Sequence, residues 1–241
     1  MADTSYERST QLIPATAVLA PLSILAVVVF RTDDVVSIAR SILGVLVAAG
    51  FHVVAMRLVR DRGNRIQDRL WDSWGGSTTV QRLRWAGQPQ QRVERLHRRV
   101  THMTGVQLPD ASAEADSTAD ANEIYEDAVA RLREMTRDHD RFPRVWSELK
   151  QYGAARNMYG AKHVALGVAG VSVLLSAGMT AASWLSLWNV SWIMPVIAGV
   201  LDIMIAIAWL LIVTPQYVRV ASDRYSDALL EVPNEQGAAP Q

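Results

Sequence analysis

Residues 193–213 read IMPVIAGVLDIMIAIAWLLIV, 21 residues with one charged side chain, Asp202. A bilayer core about 30 Å thick takes about 20 residues of apolar helix. Helices of water-soluble proteins seldom stay apolar on every face for that length. Three further runs share the character. Leu12 to Phe30 carries no charge, Val35 to Met56 carries only Arg40, and Ala165 to Trp188 carries none. The expectation is an all-α integral membrane protein with four transmembrane helices in a 2+2 arrangement. Residues 1–56 would form the first hairpin, 57–162 a cytoplasmic helical domain, 163–214 the second hairpin and 215–241 a cytoplasmic tail.

The first run reads as a retained span rather than a cleaved leader. Asp3, Glu7 and Arg8 precede it and Arg31-Thr-Asp-Asp34 follows, with neither a basic start nor a small-residue cleavage site. Orientation follows from the basic residues. The segment between the second and third runs holds 19 of the 24 Lys and Arg. The hairpin loops hold Arg31, and Arg40 sits just inside a span, where it can snorkel outward. That places the middle segment and both termini in the cytoplasm. Trp184, Trp188 and Trp192 mark the opposite interface. All basic residues except Lys150 and Lys162 are Arg, a bias that points to a GC-rich bacterial genome and hence to an inner (plasma) membrane. Pro21 is expected to kink the first span, while Pro14 and Pro195 fit first turns.

Composition excludes some chemistry. There is no cysteine, so disulfides, Cys-ligated zinc and thiol nucleophiles are ruled out. The formal net charge of zero says nothing about partners. No phosphate-binding glycine loop, Gly-x-Ser-x-Gly or His-Glu-x-x-His occurs, so an enzyme is not expected, and no metal or other cofactor is implied. His139 between Asp138 and Asp140 is a weak metal pattern, and His97 and His102 lack metal spacing.

The middle segment reads as helices separated by turns at Gly63-Asn64, Gly75-Gly76, Gly87-Gln-Pro89, Leu108-Pro109-Asp110 and Phe142-Pro143. One helix should bury Val93, Leu96, Val100 and Met103. A second should bury Ile124, Ala128, Leu132 and Met135 behind a capping box at Asp120-x-x-Glu123. A third, with Val145, Trp146, Leu149 and Tyr152, should run through Gly153 and Gly160 towards the third span. No alternating strand is apparent. Residues 57–102 hold eleven Arg against four acids, and 103–141 hold ten acids against four Arg. Two accounts fit this polarity. The halves pack on each other or across subunits, with the first half facing anionic lipid, or the basic half binds a polyanion. The eight residues after Pro233 lack an apolar pattern and are expected to be disordered.

Asp202 and the small, polar stripe Ala165, Ala169, Ser172, Ser176, Thr180 and Ser183 are the candidate intramembrane polar residues. An ionisable group at the bilayer midplane costs about 2.5–3.5 kcal/mol on insertion scales, so it faces a helix interface or water. An acidic ring in an oligomeric pore, or a proton or cation site, with Asp202, Ser172, Ser176 and Thr180 is one reading. A protonated Asp bonded across a helix interface is the other. His52 near the inner end of the second span fits packing better than sensing. Arg82, Arg84, Arg92, Arg95, Arg98 and Arg99 are the candidates for an anionic effector. Arg92-Val-Glu-Arg-Leu-His97 matches the R-x4-H of HEPN ribonucleases, with Val93 where that family carries a polar residue.

The strings Leu70-Trp-Asp-Ser-Trp-Gly-Gly76, Met135-Thr-Arg-Asp138 and Tyr152-Gly-Ala-Ala-Arg-Asn-Met-Tyr-Gly-Ala-Lys162 look like signatures of a bacterial membrane family. With two hairpins around a helical domain and no catalytic motif, the plan resembles the small membrane effectors of nucleotide-signalled anti-phage systems of CBASS and Hailong type. The resemblance implies a pore that opens, or disrupts the bilayer, on a nucleotide or oligonucleotide signal. The expected function is therefore an oligomeric ion channel gated through the cytoplasmic domain. Its partners would be the lipid bilayer, copies of itself and a nucleotide effector, with no stable nucleic-acid duplex. A non-conducting membrane anchor and a membrane-tethered HEPN-like ribonuclease are the alternatives. The two hairpins show no internal repeat of the transporter kind.

Overall fold

The computed structural model describes the backbone of residues 8–29, 35–187 and 191–237 and the side chains of 9–28, 50–187 and 191–232. Among these the chain is helical, without a strand. A π-helical turn, Arg8–Leu12, leads into α1 (Ile13–Val29). Then follow α2 (Val35–Trp74), α3 (Thr78–Leu83), α4 (Gln90–Thr104), α5 (Ala111–Asp116), α6 (Thr118–Met135), α7 (Pro143–Trp184), α8 (Ile193–Ile212) and α9 (Pro215–Gly237). Three helical stretches among the described residues are long and apolar enough to cross a membrane: Ser9–Val28, Pro143–Trp184 and Ile193–Ile212. The remaining expected span, Val35–Met56, forms the start of α2. Most of its side chains, Arg40 included, lie outside the described residues, as do the side chains of Arg31 and Trp188.

The chain divides into two compact units, Met1–Gln67 with Gly153–Val218, and Asp68–Tyr152 with Arg219–Gln241. In the first unit α1, α2, α7 and α8 share a core of small and medium residues: Ala15, Val18, Ala55, Val59, Ala161, Ala165, Trp209 and Val213. Such residues let helix backbones approach closely. The extreme case is α2 against α7. A Cβ at Gly160 would stand 2.6 Å from the Arg62 carbonyl carbon and 2.7 Å from the Gly63 nitrogen. A Cβ at Gly63 would stand 1.9 Å from Asn157 Oδ1. Gly63-Asn64 is therefore not a turn. It lies inside α2, where the glycine admits a neighbouring helix rather than a bend. Arg156 of α7 donates to Asn64 Oδ1 at 2.9 Å and to Gln67 Oε1 beside that crossing. Asn157 Nδ2 donates to the Thr10 carbonyl at 2.7 Å. Pro21 stands within α1.

The second unit is built like a water-soluble bundle. Its core includes Val80, Leu83, Val93, Val100, Tyr125, Val129 and Leu132. Gly75 and Gly76 end α2 with φ of 78° and 115°, a left-handed backbone that glycine adopts at no steric cost. Ser77 caps α3 through the Val80 N–H. The cap of α6 is Ser117, bonded to the Asp120 N–H, three residues before the expected Asp120 box. The buried faces also shift. On α4 they are Val93, His97, Val100 and Thr104, and on α6 Ala121, Tyr125, Ala128, Val129 and Leu132. Ile124 and Met135 are exposed. Satisfied polar groups on these helices made the interior wider than apolar spacing alone implied. The backbone of α9 continues to Gly237, so residues 234–237, expected to be disordered, are helical; 238–241 lie outside the described residues.

Candidate functional site

The expected effector arginines divide by location. Arg82, Arg92, Arg95 and Arg99 line a hollow of about 250 Å³ in the second unit, together with Gln88 and with Asp227 and Glu231 of α9. The helix periodicity of α4 produces the grouping, because positions 92, 95 and 99 recur at three and four residues on one face. The opposite face carries Val93 and Val100 into the core. Arg82 comes from α3 and bonds Asp227 at 2.7 Å and Asp223 at 3.5 Å. Glu231 pairs with Arg144. Among the described residues no carboxylate stands within ion-pair distance of Arg92, Arg95 or Arg99. Burial pushes the Asp227 carboxyl above its ordinary value; the Arg82 charge, and more weakly the Arg92 charge, work against that rise, and Glu231 and Asp223 add to it.

Arg84 and Arg98 are elsewhere. Arg84 donates to Asn122 Oδ1 at 3.0 Å and to the Gly75 carbonyl at 2.8 Å, so it holds a turn. Arg98 is exposed and outside the hollow. The basic segment also finds its counter-charge in an unexpected place. Arg82 pairs with α9, while among the described residues no ion pair joins α4 to α6, where Arg131 donates to the Thr104 carbonyl instead.

His97 of the R-x4-H string is buried. Its Nε2 lies 2.6 Å from the Leu83 carbonyl oxygen, and its ring contacts Trp85 and Tyr125. Burial holds it below its ordinary value, partly offset by the bond to Leu83 and by the Glu114 charge. A histidine committed in this way is poorly placed to act on a substrate. Glu114 itself is a structural centre that the sequence reading missed. Its carboxylate accepts from Trp85 N at 3.1 Å, Ala86 N at 3.4 Å and Tyr125 Oη at 2.6 Å. Burial first, and then the Glu114 carboxylate, raise the Tyr125 phenol. His139 stacks on Trp146 at 3.4 Å, and among the described residues no group of His, Asp and Glu could hold a metal ion.

In the first unit the small, polar stripe of α7 turns inward. Ala165, Ala169, Ser172 and Ser176 are buried against other helices of the same chain. Asp202 has no exposed surface, and Ser172 Oγ lies 2.5 Å from its Oδ2 and 3.2 Å from the Pro21 carbonyl oxygen. Thr180 and Ser183 return their hydroxyls to the carbonyls of Ser176 and Met179 on their own helix. Ser176, Thr180 and Gly199 also line an apolar groove of about 570 Å³ between α7 and α8, whose rim includes Trp184 and Trp192. Of the four expected pore residues, then, Asp202 and Ser172 are joined and enclosed, while Ser176 and Thr180 border the groove. His52 Nε2 lies 2.9 Å from Thr16 Oγ1, a packing contact within the unit.

Lys162 Nζ donates to the carbonyls of Leu210 and Val213 at the end of α8, at 3.1 Å and 2.8 Å. Comparison with protein-family models, with curated proteins and with solved structures found no match.

Proposed function

We propose that the chain is one subunit of an oligomeric channel in a bacterial inner membrane. It would cross the bilayer four times with both termini inside, and a cytoplasmic anion would gate it. The observation that carries the reading is the hollow at Arg82, Arg92, Arg95 and Arg99, where three guanidiniums have no carboxylate partner. Guanidinium groups match phosphate oxygens in geometry and charge. Arg92, Arg95 and Arg99 outnumber Asp227 and Glu231 at the hollow, so an anion bound among them gains from several like charges at once. Support for four spans is the 22-residue run Val35–Met56, with one charge, at the head of α2. The excess of Arg and Lys in the middle segment supports the orientation. The resemblance of the sequence plan to nucleotide-signalled anti-phage effectors makes a nucleotide the first ligand to try.

Conduction requires self-association, since four helices are too few to enclose a generous aqueous path and a cyclic assembly closes naturally. The test is the current carried by the purified chain in planar bilayers, with and without added nucleotides. The channel reading expects ligand-dependent current in the wild type and none in the Arg92→Ala, Arg95→Ala, Arg99→Ala triple variant. Absence of current under every ligand, with the chain folded and inserted, overturns it.

One observation favours a second reading, a non-conducting membrane anchor. Asp202, the only acid in its run, is enclosed within a single chain rather than presented at a surface. On that reading Asp202→Leu leaves function intact.

A further inference from the structure

Asp202 is a buried carboxyl with no counter-charge among the described side chains around it. α1 (Ile13–Val29) has no titratable side chain, and α7 has none from Val164 to Trp184. α8 has only Asp202 itself. Among the described side chains of the apolar stretch of α2, His52 is the titratable one, and it is bonded to Thr16. Lys162 and His163 of α7 precede that uncharged stretch, and Lys162 is held by the carbonyls of Leu210 and Val213, eight and eleven residues along α8 from the acid.

Hydrogen counting then identifies the occupant. Ser172 has one hydroxyl hydrogen and two oxygens within reach, Asp202 Oδ2 at 2.5 Å and the Pro21 carbonyl at 3.2 Å. With an ionised carboxylate both are acceptors and compete for that one hydrogen, the Pro21 carbonyl having the backbone ladder of α1 as well. With the acid form the chain is complete. The carboxyl O–H donates to Ser172 Oγ, and the Ser172 hydroxyl donates to Pro21. The remaining oxygen, Asp202 Oδ1, is buried without a hydrogen-bond partner, and so is Ser176 Oγ. Ser176 is one helical turn from Ser172 and lines the groove between α7 and α8.

We infer that Asp202 is a proton-binding site inside the membrane-spanning unit, loaded and emptied from the α7–α8 groove past Ser176. On loading, a hydronium ion that enters from the groove past Ser176 gives its proton to Asp202 Oδ1 and leaves as water. Rotation of the carboxyl about Cβ–Cγ then brings the O–H to Ser172. Emptying is the reverse, with a water accepting the proton. Asp202 carries the proton and Ser172 is a positioning residue. Ser176 supplies the hydroxyl between the acid and the groove.

The test uses the full chain in lipid vesicles and dicyclohexylcarbodiimide, an apolar reagent that attacks protonated carboxyls. The acid adds across one C=N bond: its oxygen bonds to the central carbon, its proton passes to nitrogen, and nothing leaves. The expected result is a mass adduct on the peptide containing Asp202, formed faster as pH falls. It is lost in Asp202→Asn and slowed several-fold in Ser176→Ala. Infrared spectra should contain a neutral-carboxyl carbonyl band that Asp202→Asn removes, an isosteric change that keeps the fold. The inference is overturned if the wild type lacks that band, if Asp202 fails to label, or if its labelling ignores pH. An unchanged rate in Ser176→Ala overturns the route. This result is separate from conduction, because a chain that labels at Asp202 and passes no current keeps the proton site and loses the channel.

Discussion

The two units sort their side chains in opposite directions. In the first, Leu174, Met204 and Leu211 are exposed, at 73%, 61% and 73%, while Ser172, Ser176 and Asp202 are inside. In the second, Leu83, Val93, Val100 and Leu132 are sealed inside and the arginines of α4 lie outside. The same helical backbone and the same side-chain chemistry appear in both. What differs is the solvent each surface answers to. Where lipid is as apolar as leucine, burying leucine gains nothing, and close backbone approach with shared hydrogen bonds holds helices together. Where water is the solvent, burial of apolar area dominates.

The sharpest way to break this contrast is to remove one buried polar centre from the water-facing unit. Glu114→Ala removes the buried carboxylate that serves the buried Tyr125 hydroxyl, the half-buried Trp85 N–H and the Ala86 N–H, and should cost about 3–5 kcal/mol, read as a lower denaturation midpoint of the full chain in detergent. Next, Leu174→Arg should cost about 2.5–3.5 kcal/mol in membrane insertion, scored with a glycosylation reporter. Ile124→Arg, a similar change on the second unit's surface, should stay within about 0.5 kcal/mol. Equal effects at the two positions would dissolve the contrast. Gly160→Ala tests the close crossing: its Cβ meets backbone and not a yielding side chain, so a loss of about 1–3 kcal/mol is expected, measured by thermal unfolding.

The smallest effect is set by pH. An unfolded histidine takes up its proton near pH 6.5, about the ordinary value. The fold holds His97 lower, so the unfolded chain binds more protons in the interval between. The stability His97 lends is complete above about pH 6.5 and is lost as pH falls through the folded value. Melting temperatures of the wild type and His97→Gln should therefore converge on acidification. A gap that widens instead refutes the burial account.

Much of the fold was legible because apolar run length is an unambiguous signal. Ile193–Ile212 forms a helix as read, and the helix from Val145 does continue through Gly153 and Gly160. Glycine was harder, since the residue serves both bends and close approach. Gly75-Gly76 does bend the chain, whereas Gly63 sits under Asn157 within a helix. Sequence cannot separate these without knowing what lies across the helix. Two of the three short strings that stood out, Tyr152–Lys162 and Leu70–Gly76, have contacts that account for them. In Tyr152–Lys162, Arg156, Asn157, Gly160 and Lys162 each meet a specific partner. Trp74 of the other string lies under the Arg219 guanidinium. At the candidate site, the α4 arginines could be grouped by periodicity. Their neighbours Asp227 and Glu231, more than 120 residues away on a helix read only as a tail, could not.

The bonds of Lys162 to Leu210 and Val213 and of Ser172 to Asp202 all join α7 to α8. The last two spans thus pair their own costly groups before any other segment is required. α1 meets the polar groups of that pair through the Pro21 carbonyl, and the turn before it through the Thr10 carbonyl, so the hairpin is expected to hold together even where α1 is absent.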